Sequence, residues 1–262
     1  MVTIAIGDKY KAAWEQYCRP SWQSYAARHG YDVIIITDYL DQGPLARKRS
    51  PHWQKLLILH HPAIQKYKRV VWLDSDIVIN FVTAPCIVGF CGDPSRVGVV
   101  LFVENENGND ALRLAVNRRQ VTGGQTLNQG GRTFRDVYNH IGFRTEQNKG
   151  FNAGVMVLSP SSHKAVFEQV YAGYNETNGS WFENGPLSYH LVVNDLVSPI
   201  PEAFNVNVPH LLYCHYPFIL DGQIPELKPV VTRTIIENGW FLHFLGGGMA
   251  RRLLEYAAGQ LA

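Results

Sequence analysis

Short apolar runs recur along the chain, each followed by a longer segment of mixed polarity. Val2-Thr3-Ile4-Ala5-Ile6 breaks into Gly7-Asp8 and reads as a first strand. A helical segment follows to His29, with Pro20 placed to start a fresh helix after Arg19 and Gly30 just past a helix end. Residues 32–37 predict a second buried strand, which closes on Asp38. A basic stretch punctuated by Gly and Pro over residues 41–50 predicts a loop, and Pro51 opens a helix carrying Trp53, Lys55, Leu56 and Leu59. The next run, Val70-Val71-Trp72-Leu73-Asp74-Ser75-Asp76-Ile77-Val78-Ile79, is apolar on both sides of the alternation, as in a central parallel strand covered on both faces. This β-α-β-α-β order predicts an α/β chain with a mainly parallel central sheet and right-handed crossovers.

Residues 98–103 predict a further strand. From residue 104 to 150 the composition shifts to Asn, Gln, Gly and Arg, with a helix available over residues 110–119. A polar segment of that length inside one domain predicts a substrate loop or lid. Residues 154–159 return to strand, 160–174 to helix, and 186–193 to a second short helix. Residues 240–243 predict a late strand, after which Gly246-Gly247-Gly248 leads into a short basic helix through Arg251 and Arg252. No internal repeat or low-complexity tract interrupts this order.

At 262 residues the chain suits one domain with a large core. Its formal charge of +2 is too small for nucleic acid to be expected as a partner. Cys18, Cys86, Cys91 and Cys214 lack metal-finger or Cys-x-x-Cys spacing and read as packed thiols in a reducing compartment. No charged region followed by an apolar core opens the sequence, and no apolar run is long enough to span a bilayer, so a soluble, cytoplasmic protein is expected. Asn175-Glu176-Thr177 and Asn178-Gly179-Ser180 match the glycosylation acceptor pattern, but without a secretory signal they read as accidental.

The chemistry concentrates where the third strand ends. Asp74 and Asp76, one residue apart in the turn leaving that strand, fall where open α/β sheets place their ligands, and both can face one of them. Carboxylate oxygens suit hard divalent cations such as Mg²⁺ or Mn²⁺, which commonly bridge protein carboxylates and substrate phosphates. From the tripeptide alone, a helix-capping Asp74 and a solvated Asp76 are an equal alternative.

In order along the chain, Asp74-Ser75-Asp76, Phe151-Asn152-Ala153-Gly154-Val155-Met156-Val157-Leu158-Ser159, Glu183-Asn184-Gly185-Pro186-Leu187 and His243-Phe244-Leu245-Gly246-Gly247 resemble the GT-A glycosyltransferases, particularly families 8 and 34. The resemblance covers nearly the whole chain. It implies one Rossmann-like GT-A domain over residues 1–262: a nucleotide-binding half (1–103), a polar loop or lid (104–150) and an acceptor-side half with a late metal ligand (151–262). It implies Mn²⁺, with Mg²⁺ as the other choice, held by Asp74, Asp76 and His243 against the diphosphate of a nucleotide-sugar, UDP-linked in the family's manner, and a carbohydrate or other hydroxyl acceptor. Ala5, Ile6, Gly7, Tyr10 and Asp38 would lie at the base and ribose, and Ser75, Lys55, Gly246 and Gly247 near the donor. Asn152, Glu183 and Asn184 would stand at the reacting sugar, with retention at the anomeric carbon.

Two departures stand out. Met249 occupies the position where the family places a phosphate-neutralising Lys, and Glu183-Asn184-Gly185-Pro186 replaces the usual Asp/Glu-Gln followed by a helix former. The rival readings are a haloacid-dehalogenase-type phosphatase, whose Asp-x-Asp motif Val78 also fits, a sugar-nucleotide pyrophosphorylase, and a non-catalytic nucleotide-sugar binder.

Overall fold

In the computed structural model each central strand feeds two cores. In β3 (Val70–Leu73), Val71 and Leu73 pack into one apolar cluster, Val70 and Trp72 into the other; Val155, Val157 and Met156, Leu158 of β8 (Val155–Leu158) divide the same way. Successive strand residues point to opposite faces, so a strand apolar at every position must be covered on both. The structure describes residues 1–103, 133–176, 181–220, 224–245, 255, 257–259 and 261. The expected helix over 110–119, most of the expected lid, Gly246, Gly247, Met249, Arg251 and Arg252 lie outside the described residues.

β1 (Val2–Ile4), β2 (Ile34–Ile36), β3, β5 (Val97–Val99), β8 and β9 (Val197–Pro199) form a six-stranded sheet in the order β2-β1-β3-β8-β5-β9. β1 runs parallel to β2 and β3, and β5 parallel to β9, whereas β8 is antiparallel to both β3 and β5. The expected mainly parallel sheet is therefore present with one reversed strand at its centre. The long apolar run ending in Ile79 is two strands, because β4 (Ile77–Ile79) leaves for a second sheet, where it pairs antiparallel with β11 (Phe241–His243); β10 (Val206–Asn207) lies on the far side of β11. The single strand expected over 98–103 is also divided: β6 (Leu101–Val103) leaves the main sheet and pairs with β7 (Lys149–Phe151).

Helical segments follow the sequence with three corrections. The stretch from Asp8 to His29 is continuous but carries a π-helical turn, Trp14–Cys18, that buries Trp14 and Cys18. It ends at Gly30, whose φ of 73° is left-handed, a conformation costly for any residue with a Cβ. The helix opened by Pro51 is a 3₁₀ helix, Pro51–His60, in place of an α-helix. Its three-residue repeat lines up Trp53, Leu56 and Leu59, all fully buried, and puts Lys55 on a different row. Within the segment expected to be a polar loop, Phe134–His140 is an α-helix, started by a Thr133–Asp136 capping box and anchored by buried Phe134, Val137 and Tyr138. The helices at Pro160–Gly173 and Asn184–Val193 agree with expectation, the second beginning two residues before Pro186.

Candidate active site

Register alone brings the two aspartates to their neighbours. Leu73 pairs with Val155, so the next residue, Asp74, donates its N–H to the Gly154 carbonyl at 2.8 Å. Ile77 pairs with His243, and Phe244 N–H donates to the Asp76 carbonyl at 3.1 Å. The turn between β3 and β4 is also held from behind: the Cys18 thiol donates to the Ser75 carbonyl at 3.3 Å, and Trp22 Nε1–H to the Ile77 carbonyl at 2.7 Å. Thus the π-turn and the helix after it fix the backbone that carries both carboxylates.

One oxygen or nitrogen each from Asp74, Asp76 and His243 lies within 4.8 Å of the others. His243 Nε2 is 3.2 Å from Asp76 Oδ1 and 3.7 Å from Asp74 Oδ2. Although the first distance is short, neither His243 Nε2 nor Asp76 Oδ1 has a hydrogen-bond partner among the described residues, and both atoms are buried. Buried polar atoms left without partners are costly, and here they converge on one point. Two carboxylate oxygens and an imidazole nitrogen are the donor chemistry of a divalent cation, so these residues fit one.

Behind Asp74 stands an ion-pair chain. Lys55 Nζ contacts Asp74 Oδ1 at 2.8 Å and Glu183 Oε1 at 2.9 Å, with the Lys55 and Glu183 side chains only 5% and 4% exposed. Asp74 Oδ1 also accepts from Trp72 Nε1–H at 3.0 Å. Burial by itself would lower the Lys55 pKa, but the Asp74 and Glu183 carboxylates outweigh it and hold the ammonium above its ordinary range. Burial likewise pushes the Asp74 carboxyl up, but its neighbours, Lys55 first among them, together override it, so Asp74 stays below the usual carboxylate range. Among the described residues around this centre three carboxylates face one ammonium, a deficit that a divalent cation matches.

The other expected site residues separate into groups. Ala5, Ile6 and Gly7 follow β1, and Asp38 follows β2, at the same end of the parallel strands where Asp74 follows β3. Tyr10 is 62% exposed on a helix that buries nothing, and Asp38 is exposed. Asn152 Oδ1 accepts from Gly154 N–H at 2.9 Å and from Asn205 Nδ2–H at 3.2 Å. Asn184 spends both ends of its amide on backbone, accepting from Ala153 N–H at 2.6 Å and donating to the Phe151 carbonyl at 3.1 Å, which fixes the turn between β7 and β8. Phe182, at φ 46°, turns the chain just before Glu183.

The fold can be compared with solved structures at this point. A glycosyltransferase involved in the glycosylation of the major capsid of PBCV-1 superimposes over 99% of this chain and 98% of that one, with a TM-score of 0.54 at 15% identity. The chain has a GT-A fold. The glycosyltransferase GlyE of Streptococcus pneumoniae TIGR4 is similar over 98% of this chain, which spans 60% of GlyE, with a TM-score of 0.50 at 13% identity. No protein-family model and no curated protein matches the sequence. Within the GT-A fold the Asp74-Ser75-Asp76 turn sits between the two sheets, and His243 reaches it from the second.

Sequence reasoning passed over Asn205, whose Oδ1 lies 2.9 Å from His243 Nδ1, and Trp72. Trp72 was findable, since residues two apart in a strand share a face. It also underrated Gly154. A Cβ there would lie 2.1 Å from His243 Cε1 and 2.6 Å from Nδ1, so the imidazole occupies space that only glycine leaves. Gly154→Ala is expected to displace His243 and cost about 1–3 kcal/mol, the usual range for overpacking a filled core. Chemical denaturation checks the stability, and a crystal structure with the His243 ring unmoved would refute the steric argument.

Proposed function

We propose that this chain is a metal-dependent glycosyltransferase that moves a sugar from a UDP-linked donor to a hydroxyl acceptor with retention at the anomeric carbon. The observation that carries the reading is the convergence of Asp74, Asp76 and His243 on one point, with buried atoms that lack partners among the described residues facing each other. The GT-A fold and the family 8 and 34 motifs support the donor class and the stereochemistry. A cation held there would neutralise charge developing on the leaving diphosphate. His243 brings nitrogen into the donor set, which favours Mn²⁺ over Mg²⁺.

The chain's own residues do the positioning. Lys55 holds Asp74 and Glu183 in one arrangement, so that Asp74 would have its second oxygen free to hold the cation and Glu183 would orient sugar hydroxyls. Asn184 sets the β7–β8 turn from which Asn152 and Gly154 project. Residues 1–103 supply the donor side, 104–150 the lid and 151–262 the acceptor side, with Ala5, Ile6, Gly7 and Tyr10 toward the base. The four cysteines are all free thiols, which suits a reducing, cytoplasmic setting.

The test needs no acceptor. With Mn²⁺ and UDP-sugars, slow release of UDP is expected, and EDTA should stop it. UDP release indifferent to chelator would exclude the metal-dependent reading, and tight donor binding without any turnover would favour a non-catalytic binder.

A further inference from the structure

His243 lies in the core with no exposed surface, so its ring orientation and tautomer are set entirely by what touches it. One neighbour is Asn205, itself buried, at the end of the 3₁₀ turn Glu202–Asn205 just before β10. The hydrogen-bond network leaves a single assignment. Gly154 N–H donates to Asn152 Oδ1 at 2.9 Å, which makes that atom the oxygen. Asn205 faces this oxygen and the Asn152 carbonyl, each at 3.2 Å, and both only accept. The amide nitrogen of Asn205 must therefore point at Asn152, leaving Oδ1 toward His243 Nδ1 at 2.9 Å. An amide oxygen only accepts, so Nδ1 must carry the hydrogen.

We infer that Asn205 is a positioning residue, clamped by Asn152, which holds His243 as the Nδ1–H form and aims the Nε2 lone pair at the Asp74–Asp76 cation site. The inference rests on the metal-dependent reading above and deepens it. A lone pair 3.2 Å from a carboxylate oxygen is repulsive unless a positive charge lies between them. The clamp therefore holds the two atoms in a geometry that a cation between them would relieve. Partners of this kind raise ligand basicity and fix ring direction, and their loss typically weakens metal binding about 10–100-fold. Asn152 then acts through Asn205, which gives its half-buried amide a purpose that does not require contact with sugar.

The test measures Mn²⁺ binding by EPR titration in the presence of UDP, together with the His243 tautomer from long-range ¹H–¹⁵N spectra of the metal-free protein. Asn205→Leu, similar in size, is expected to bind Mn²⁺ about 10–100-fold more weakly. Asn205→Asp retains an acceptor for Nδ1–H but sets its second carboxylate oxygen against the two Asn152 oxygens, so it should bind Mn²⁺ more weakly than wild type and more tightly than the leucine variant. Leucine binding Mn²⁺ as wild type does, or equal losses in both variants, would overturn the inference. If Asn205→Leu does not fold, the aspartate variant and the wild-type spectra decide: a His243 Nδ1 without a proton refutes it, and a protonated Nδ1 supports it. Wild-type protein that binds no Mn²⁺ would instead refute the metal-dependent function, while the tautomer measurement still tests Asn205.

Discussion

Asp76→Ala is expected to lower UDP-sugar turnover by about 10³-fold or more, roughly 4 kcal/mol of lost transition-state stabilisation, because it removes one of three cation donors. Its fold should be spared. Asp76 Oδ1 has no hydrogen-bond partner among the described residues, and its side chain is 34% exposed, so truncation deletes an unsatisfied charge without opening a core cavity. In metal-free buffer the variant should melt at or above the wild-type temperature, since three crowded carboxylates become two. Added Mn²⁺ with UDP should stabilise wild type and leave the variant unchanged. His243→Ala should lose turnover to the same degree but melt lower, because the ring it deletes is fully buried. Turnover retained within a few-fold in either variant would remove the metal site from the mechanism. Paired thermal melts and UDP-release assays report both quantities.

The second large effect is on stability. Lys55→Met leaves Glu183 and Asp74 facing each other without their shared ammonium, and breaking a buried pair in this way costs about 3–5 kcal/mol. Glu183, at 4% side-chain exposure, bears most of that penalty; Asp74, at 21%, is partly relieved by solvent. The companion Lys55→Met/Glu183→Leu should recover a substantial part, because replacing both buried partners with apolar groups removes the orphaned charge. Urea denaturation of the two single variants and the double variant gives the coupling directly. A Lys55→Met loss below about 1 kcal/mol would mean that the chain of charges contributes little to the fold.

Much of the candidate site was legible because its signals are local. Asp74 and Asp76 flank one residue at the end of an apolar run, and His243 closes another short apolar run. The role of Lys55 was only half legible: the resemblance to families 8 and 34 implied nearness to the donor, yet a lysine in a turn of helix is ordinarily solvated. Its burial follows from the 3₁₀ winding of Pro51–His60 and from two carboxylates contributed by residues 19 and 128 positions away. Asn205 gave no local cue, since its partners Asn152 and His243 are 53 and 38 residues distant. The helix Phe134–His140 did carry a cue, Thr133 three residues before Asp136, that the polar composition around it masked.

The sequence by itself determined the strands β1, β2, β3, β8 and β11, the helix ends at Gly30 and Pro160, and the presence of paired carboxylates at a strand end. These follow from period, β-branched content and backbone chemistry within a few residues, which any local window contains. Only the tertiary structure decided that the run from Val70 to Ile79 divides between two sheets, that β8 runs against its neighbours, and that Lys55, Glu183 and His243 meet around Asp74 with Asn205 behind His243. Those outcomes depend on strand pairing and register, which are chosen by burial and hydrogen bonding across the whole fold and are not encoded in the spacing of adjacent residues.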